Sequence, residues 1–315
     1  MKRFLKKITL FILPLFVCAV VLEIMLRQIP NDYSLKKEFI STHPEKIDVL
    51  VLGSSHALRG VNPSHFDLKC FNASYVSQTL DMDWCILDKF GPQLIKARYI
   101  VLSVSYFTFF TRLKSSEESW RAKNYTIYYG ISDGFNIKNS SEVLSSPTNV
   151  SIDKFADYYI RKKSIVTCDS LGFAPRKNRT TKNFARLGLK TAKRHTKSGE
   201  LFFENLRYLE HIVQFCRRTG KQLVLFMPPG HISYRKHLKK SQLKKTIFTA
   251  DSLTAVHKHV RFLNYLASPV FDDGDFYDPD HLNNAGALKL SNLLNKELMA
   301  DMKTHSITLN KPVSR

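Results

Sequence analysis

The chain has 315 residues, of which 43% are hydrophobic and 12% aromatic, enough to bury a full core and unlike a disordered polymer. Its 48 Lys and Arg against 27 Asp and Glu leave a formal charge of +21, so an anionic partner or surface has to be considered. No zinc-finger spacing, RNA-binding aromatic motif or helix-turn-helix signature accompanies that charge, which argues against nucleic acid.

From the N-terminus, residues 1–7 form a basic tail with Lys2, Arg3, Lys6 and Lys7, and residues 8–26 an apolar segment broken only by Glu23. That pattern predicts a transmembrane signal anchor with its N-terminus in the cytoplasm and the rest of the chain outside, extracytoplasmic or periplasmic. Val20-Val21-Leu22-Glu23-Ile24 lacks an A-x-A-like cleavage site, and Leu15-Phe16-Val17 before Cys18 lacks the small residue of a lipidated cysteine, so retention is expected. Residues 27–45 read as a polar linker.

Beyond it, Asp48–Leu52, Tyr99–Val104, Gln222–Met227 and Val260–Leu263 are short apolar runs of the kind that make strands buried on both faces. Between them lie helical patterns at Val76–Phe90 and Glu204–Thr219, with a last one at Ala285–Met302; in the second, Leu206, Leu209, Ile212, Val213 and Cys216 share one face. This alternation predicts an α/β domain with a parallel sheet over residues 46–305, followed by a tail at 306–315. Residues 107–200 interrupt the rhythm and read as a long insertion. Twelve Lys and Arg against Asp169 alone mark residues 161–197, and Arg235, Lys236, Lys239, Lys240, Lys244 and Lys245 form a second basic cluster; both read first as solvated faces. The five cysteines, Cys18, Cys70, Cys85, Cys168 and Cys216, include no C-x-x-C pair, so neither a disulfide framework nor a zinc site is expected.

Two segments carry chemistry. Gly53-Ser54-Ser55-His56 follows the first strand, at the edge of a parallel sheet where ligands bind and where a strand-turn-helix junction exposes a hydroxyl. Taken alone, it is an ordinary turn and helix cap. Asp278-Pro279-Asp280-His281 precedes the last helix and supplies an imidazole to take a serine proton and a carboxylate three residues away to orient the ring. Within it Asp280 reads as a turn residue, and His56 as a neighbour of the site, since His281 already fills the base position. Asp272, Asp273 and Asp275 lack a complete ligand loop, so no metal is expected. Pro228-Pro229, with Tyr234 beyond it, reads first as structural punctuation and second as a border of the crevice.

Together and in this order, the two segments resemble the SGNH, or GDSL-like, hydrolase superfamily, over about residues 46–303. The resemblance implies a flavodoxin-like three-layer αβα sandwich. It places Ser55 as nucleophile, Ser54 at the adjoining acidic position, and Asp278 and His281 as the other triad members. Phe71-Asn72-Ala73-Ser74-Tyr75 is most similar to the second family block, which puts Ser74 where a glycine amide binds the oxyanion. Ser103-Val104-Ser105-Tyr106 stands where the family has Gly-x-Asn-Asp, so the oxyanion Asn is absent and Ser105 is its positional substitute. The family's activity implies a serine esterase or O-acyltransferase without cofactor, acting on acyl esters, acetyl above all, of cell-envelope carbohydrate. The missing Asn also admits a different class, a catalytically weak binding or scaffold component with protein partners in an envelope polysaccharide machine.

Overall fold

The computed structural model describes residues 1–131, 137–145, 148–177 and 183–309. The C-terminal residues of the tail expected at 306–315, from 310 on, lie outside the described residues. Helices run in chain order as α1 (Lys2–Gln28), α2 (Asp32–Thr42), α3 (Ser55–Gly60), α4 (Leu80–Phe90), α5 (Ala122–Asn124) and α6 (Glu142–Ser145). They continue with α7 (Thr148–Phe155), α8 (Phe184–His195), α9 (Phe202–Thr219), α10 (Ile232–Arg235), α11 (Lys240–Val256) and α12 (Asn284–Leu309). The strands are β1 (Val49–Leu52), β2 (Cys70–Asn72), β3 (Tyr99–Ser103), β4 (Gln222–Met227), β5 (Val260–Asn264), β6 (Phe276–Asp278) and β7 (His281–Leu282).

The chain divides into two compact units, one of Met1–Phe39 with Leu113–Thr167 and one of Ile40–Arg112 with Cys168–Arg315. The stretch expected as a single insertion, 107–200, is thus cut: only Leu113–Thr167 groups with the N-terminal helix.

The larger unit is built on a five-stranded parallel sheet in the order β2-β1-β3-β4-β5, with helices on both faces in an α/β three-layer arrangement. Successive side chains of a strand point to opposite faces. Val49, Val51, Val101, Val224 and Phe226 share one buried core with Leu290, Leu294 and Leu298 of α12. Leu50, Leu52, Ile100, Leu102, Leu223 and Leu225, buried on the other face, meet the layer in which α4 and α9 pack together. The four strands read from the sequence are present within a residue or two of their expected ends, and the sheet adds β2, whose three residues are too few to show a period. Helix α4 begins at Leu80 and not at Val76, because Ser77 takes a left-handed φ of 58° and Thr79 is extended at the N-cap.

In the smaller unit the last turns of α1 are folded into protein. Leu26 and Ile29 are fully buried, while Ile8 to Val21 present an apolar surface to the outside. Around them Tyr33 meets Tyr125 edge-on at 5.3 Å, and Lys123 and Lys154 both pair with the buried Glu142 at 2.8 and 3.2 Å. The segment expected as a linker, 27–45, contains α2. With a mean hydropathy of 2.6 over its apolar window, α1 is long and apolar enough to cross a membrane.

Candidate active site

At the C-terminal end of β1 the backbone turns on Gly53, whose φ of +121° and close approach to Ser103 leave no room for a side chain: an added Cβ would collide with Ser103 Oγ. The turn is held by Asp83, which accepts the Gly53 amide at 2.8 Å and a Gln78 side-chain N–H at 2.6 Å. Burial pushes the Asp83 carboxyl up to about 7, against the lowering effect of those two donors. Ser54 follows in extended conformation as the N-cap of α3, its hydroxyl accepting the His56 amide at 3.5 Å and its own amide reaching Ser103 Oγ at 3.3 Å. Ser54 is therefore buried and engaged, and Ser55, the next residue, is the partly exposed one.

More than two hundred residues later, β6 and β7 form a short antiparallel ribbon that sets Asp278 opposite His281. Ser55 Oγ lies 2.8 Å from His281 Nε2. On the other side of the ring, Asp278 Oδ1 and Oδ2 lie 3.0 and 3.1 Å from Nδ1. The Asp278 carboxylate is itself fixed by the amides of Asp280 and His281, at 3.1 and 2.9 Å, and by Arg176 at 3.6 Å. A serine hydroxyl, an imidazole and a carboxylate thus stand in line, with the imidazole bonded on both nitrogens.

Asp280 is the turn residue that the sequence suggests, with a further role in the cluster. It lies in the turn between the two strands, but its carboxylate points inward and is 4% exposed. Three imidazoles surround it: His56 Nε2 at 3.2 Å, His281 Nδ1 at 3.5 Å and His195 Nε2 at 4.0 Å. Burial would raise such a carboxyl, yet the facing histidines hold it well below the ordinary carboxylate range. The anion acts unequally on its neighbours. Burial lowers His56, a tendency its bond to Asp280 opposes without overcoming, and lowers His195 to about 3. For His281 burial also works downward, but the charges and hydrogen bonds of Asp280 and Asp278 outweigh it and push the ring up to about 9.

His56 completes a second chain of bonds, since its Nδ1 meets Ser105 Oγ at 2.7 Å while Nε2 meets Asp280. His195, from the basic end of α8, was not singled out from the sequence. Its ring packs 4.4 Å from Phe107, and its Nδ1 is bonded at 3.0 Å to the hydroxyl of the buried Tyr234.

The residues expected to bind an oxyanion are differently placed. The Ser74 amide donates to Asn72 Oδ1 at 3.0 Å, and its hydroxyl bonds to the same oxygen. Asn72 in turn donates to the carbonyls of Ala57 and Val61, clamping α3 to β2. The Ser105 amide donates to Thr108 Oγ1 at 2.8 Å, and its hydroxyl is the one held by His56. The amides and hydroxyls of Ser74 and Ser105 are thus bonded within the protein. Among the described residues the Ser55 amide, first in α3, has no acceptor.

One group of side chains among the described residues has the spacing of metal ligands: His56, Asp280 and His281 offer atoms within 4.8 Å of one another. These atoms already bond among themselves and to Ser105 and Asp278, and a cation there would compete with Asp278 for His281 Nδ1. The acids Asp272, Asp273 and Asp275 have protein partners instead: Asp272 caps the short helix at Asp273–Asp275, Lys289 reaches Asp272 and Asp275, and His231 reaches Asp273.

No family model and no curated protein matches the chain. Among solved structures it is similar to a protein provisionally named a platelet activating factor from Streptococcus pneumonia, at 11% identity over 92% of this chain and 99% of that one, with a TM-score of 0.43. A provisionally named acylhydrolase from Bacteroides fragilis is 10% identical over 80% of this chain and 86% of that one, with a TM-score of 0.38. A GDSL-like lipase from Bacteroides thetaiotaomicron is 10% identical over 86% and 99%, with a TM-score of 0.41. At these identities and scores none of the three carries its activity over to this chain.

Proposed function

We propose that the protein is a serine esterase or O-acyltransferase of the SGNH, GDSL-like type, anchored by α1, that acts on acyl esters of cell-envelope carbohydrate. The observation that carries the chemistry is the 2.8 Å contact of Ser55 Oγ with His281 Nε2 while Asp278 engages Nδ1. In this reading neutral His281 accepts the Ser55 proton as Oγ attacks the acyl carbonyl carbon, and Asp278 holds the ring and stabilises its charged form. The negative charge that develops on the carbonyl oxygen faces the Ser55 amide. Collapse breaks the ester C–O bond, the carbohydrate oxygen leaves with the proton from His281, and the acyl group stays on Ser55. Water completes hydrolysis, or a second hydroxyl completes transfer.

An acetyl group on a glycan is the substrate proposed. Its support is the net charge of +21, suited to an acidic polymer, together with an N-terminal helix apolar enough to hold the chain at a membrane. A second reading, a weakly active binding or scaffold component of an envelope polysaccharide machine, is favoured by one observation: the amides of Ser74 and Ser105 are bonded within the protein. A fluorophosphonate probe on the full chain separates the two. Labelling retained in Ser54→Ala and lost in Ser55→Ala is expected of the enzyme; absence of labelling between about pH 6 and 10, a span that covers the titration of a histidine, would leave the scaffold.

A further inference from the structure

We propose that the helical surface formed by α6, α7 and the π-helical turn Ala156–Ile160 rests in the headgroup layer of the same lipid bilayer that α1 crosses. The inference rests on the reading of α1 as an anchor and adds a second point of membrane contact to it.

Its basis is the way this surface is bonded to α1. The apolar run Ile8–Leu22 ends at Glu23, so the helix leaves hydrocarbon at about that residue. The Glu23 carboxylate accepts the amides of Glu142 and Val143 at 3.0 and 2.9 Å and the Ser141 hydroxyl at 2.8 Å. Arg27 donates to the Ser140 carbonyl at 2.5 Å, and the Tyr159 hydroxyl donates to the Met25 carbonyl at 3.0 Å. The start of α6 and the end of the π-helical turn are thereby fixed beside residues 23–27, within about one helical turn, ~5 Å, of where the apolar run ends.

At that level the surface exposes apolar side chains beside the polar Asn149 and Asp153. Leu144 is 58% exposed, Ile152 54% and Ile160 71%, and Ile152, Ala156 and Ile160 recur at four-residue spacing. Ile24 of α1, 51% exposed, continues the apolar surface across to the anchor. The half-buried Tyr158 and Tyr159 have the amphipathic rings that concentrate at membrane–water boundaries, and the exposed Arg161, Lys162 and Lys163 follow directly, suited to anionic headgroups.

The test places an environment-sensitive nitrobenzoxadiazole label on single cysteines of the full chain, in which Cys18, Cys85 and Cys168 have been replaced by Ala. The protein is reconstituted into vesicles containing anionic phospholipid, with or without lipid spin-labelled near the headgroup. Four positions are compared: Leu15→Cys in α1, Leu144→Cys, Ile152→Cys, and Phe248→Cys, an exposed apolar residue of the other unit. The expected result is strong dequenched emission at Leu15, several-fold greater quenching by spin-labelled lipid at Leu144 and Ile152 than at Phe248, and a blue shift at both on leaving detergent. If Leu15 is in lipid while Leu144 and Ile152 behave as Phe248 does, the second contact is wrong and the anchor stands. If Leu15 itself stays in water, the anchor fails and takes this inference with it. Equal quenching at Phe248 and Ile152 also overturns it, because adsorption would then be unspecific.

Discussion

The two sides of the Ser55 hydroxyl differ in kind. Toward His281 the polar atoms form one bonded chain: the imidazole is bonded on both nitrogens, and its carboxylate is tied to two amides and faces Arg176. Toward Ser74 and Ser105, where the family resemblance places the oxyanion donors, the amides and hydroxyls complete bonds to Asn72, Thr108 and His56. On the proposed reading, the proton-transfer half is assembled in the resting fold, and the charge-stabilising half is reduced to the Ser55 amide. Preorganised donors usually make the largest single contribution to acyl-transfer rates, so the contrast predicts a nucleophile that is easily modified and a turnover that is slow.

The largest effects are expected on the assembled side. Ser55→Ala and His281→Ala should each lower hydrolysis of a simple acyl ester such as 4-nitrophenyl acetate by at least about 10³-fold, with circular dichroism unchanged. Asp278→Asn should lower kcat by about 10²–10⁴-fold with little change in KM, because the ring loses the partner that orients it. A smaller loss would mean that Asp280, at 3.5 Å, orients the ring in its place.

Next comes pH. His281 must be neutral to accept a proton, and it is pushed up to about 9, so kcat/KM should still be rising at neutral pH and level off above about 9. In Asp280→Asn the rising limb should move toward lower pH, since the buried anion contributes to holding the proton on His281. The same shift has a sign in stability. A ring raised from 6.5 to about 9 on folding stabilises the folded state fully below about pH 6.5, and that contribution is lost as pH rises through about 9. Thermal melts of wild type and Asp280→Asn across this window should converge at its alkaline end as far as this ring is concerned.

The smallest effect is expected from Ser105→Ala. With its hydroxyl bonded to His56, Ser105 should cost less than about tenfold in kcat; a loss of about 10²–10³ would show that it turns toward the substrate and stabilises an oxyanion after all.

How much of this was legible depends on how local the signal is. Ser55, Asp278 and His281 lie in short segments whose chemistry is complete in themselves, a strand-end turn on Gly53 and an acid three residues before an imidazole. Asp280 lies in the turn that Asp-Pro-Asp announces, but no sequence pattern tells whether a turn side chain faces outward or into a buried cluster. His195 follows Lys193-Arg194 and is hidden in a run that reads as a solvated face; its partners Tyr234 and Asp280 come from other parts of the chain. The strand β2 is too short to show a period, and it exists because pairing with β1 supplies what its own three residues do not. The bonds of Glu23 to residues 141–143 join segments more than a hundred residues apart, which no local pattern announces.

The most direct test of the account is the rate and position of covalent modification by a fluorophosphonate, followed on the intact chain by mass spectrometry and mapped by proteolysis. A single adduct on Ser55, forming faster as pH rises toward about 9 and strongly slowed in His281→Ala, is the predicted result. An adduct on another residue, or modification of Ser55 that proceeds equally well without His281, would contradict it.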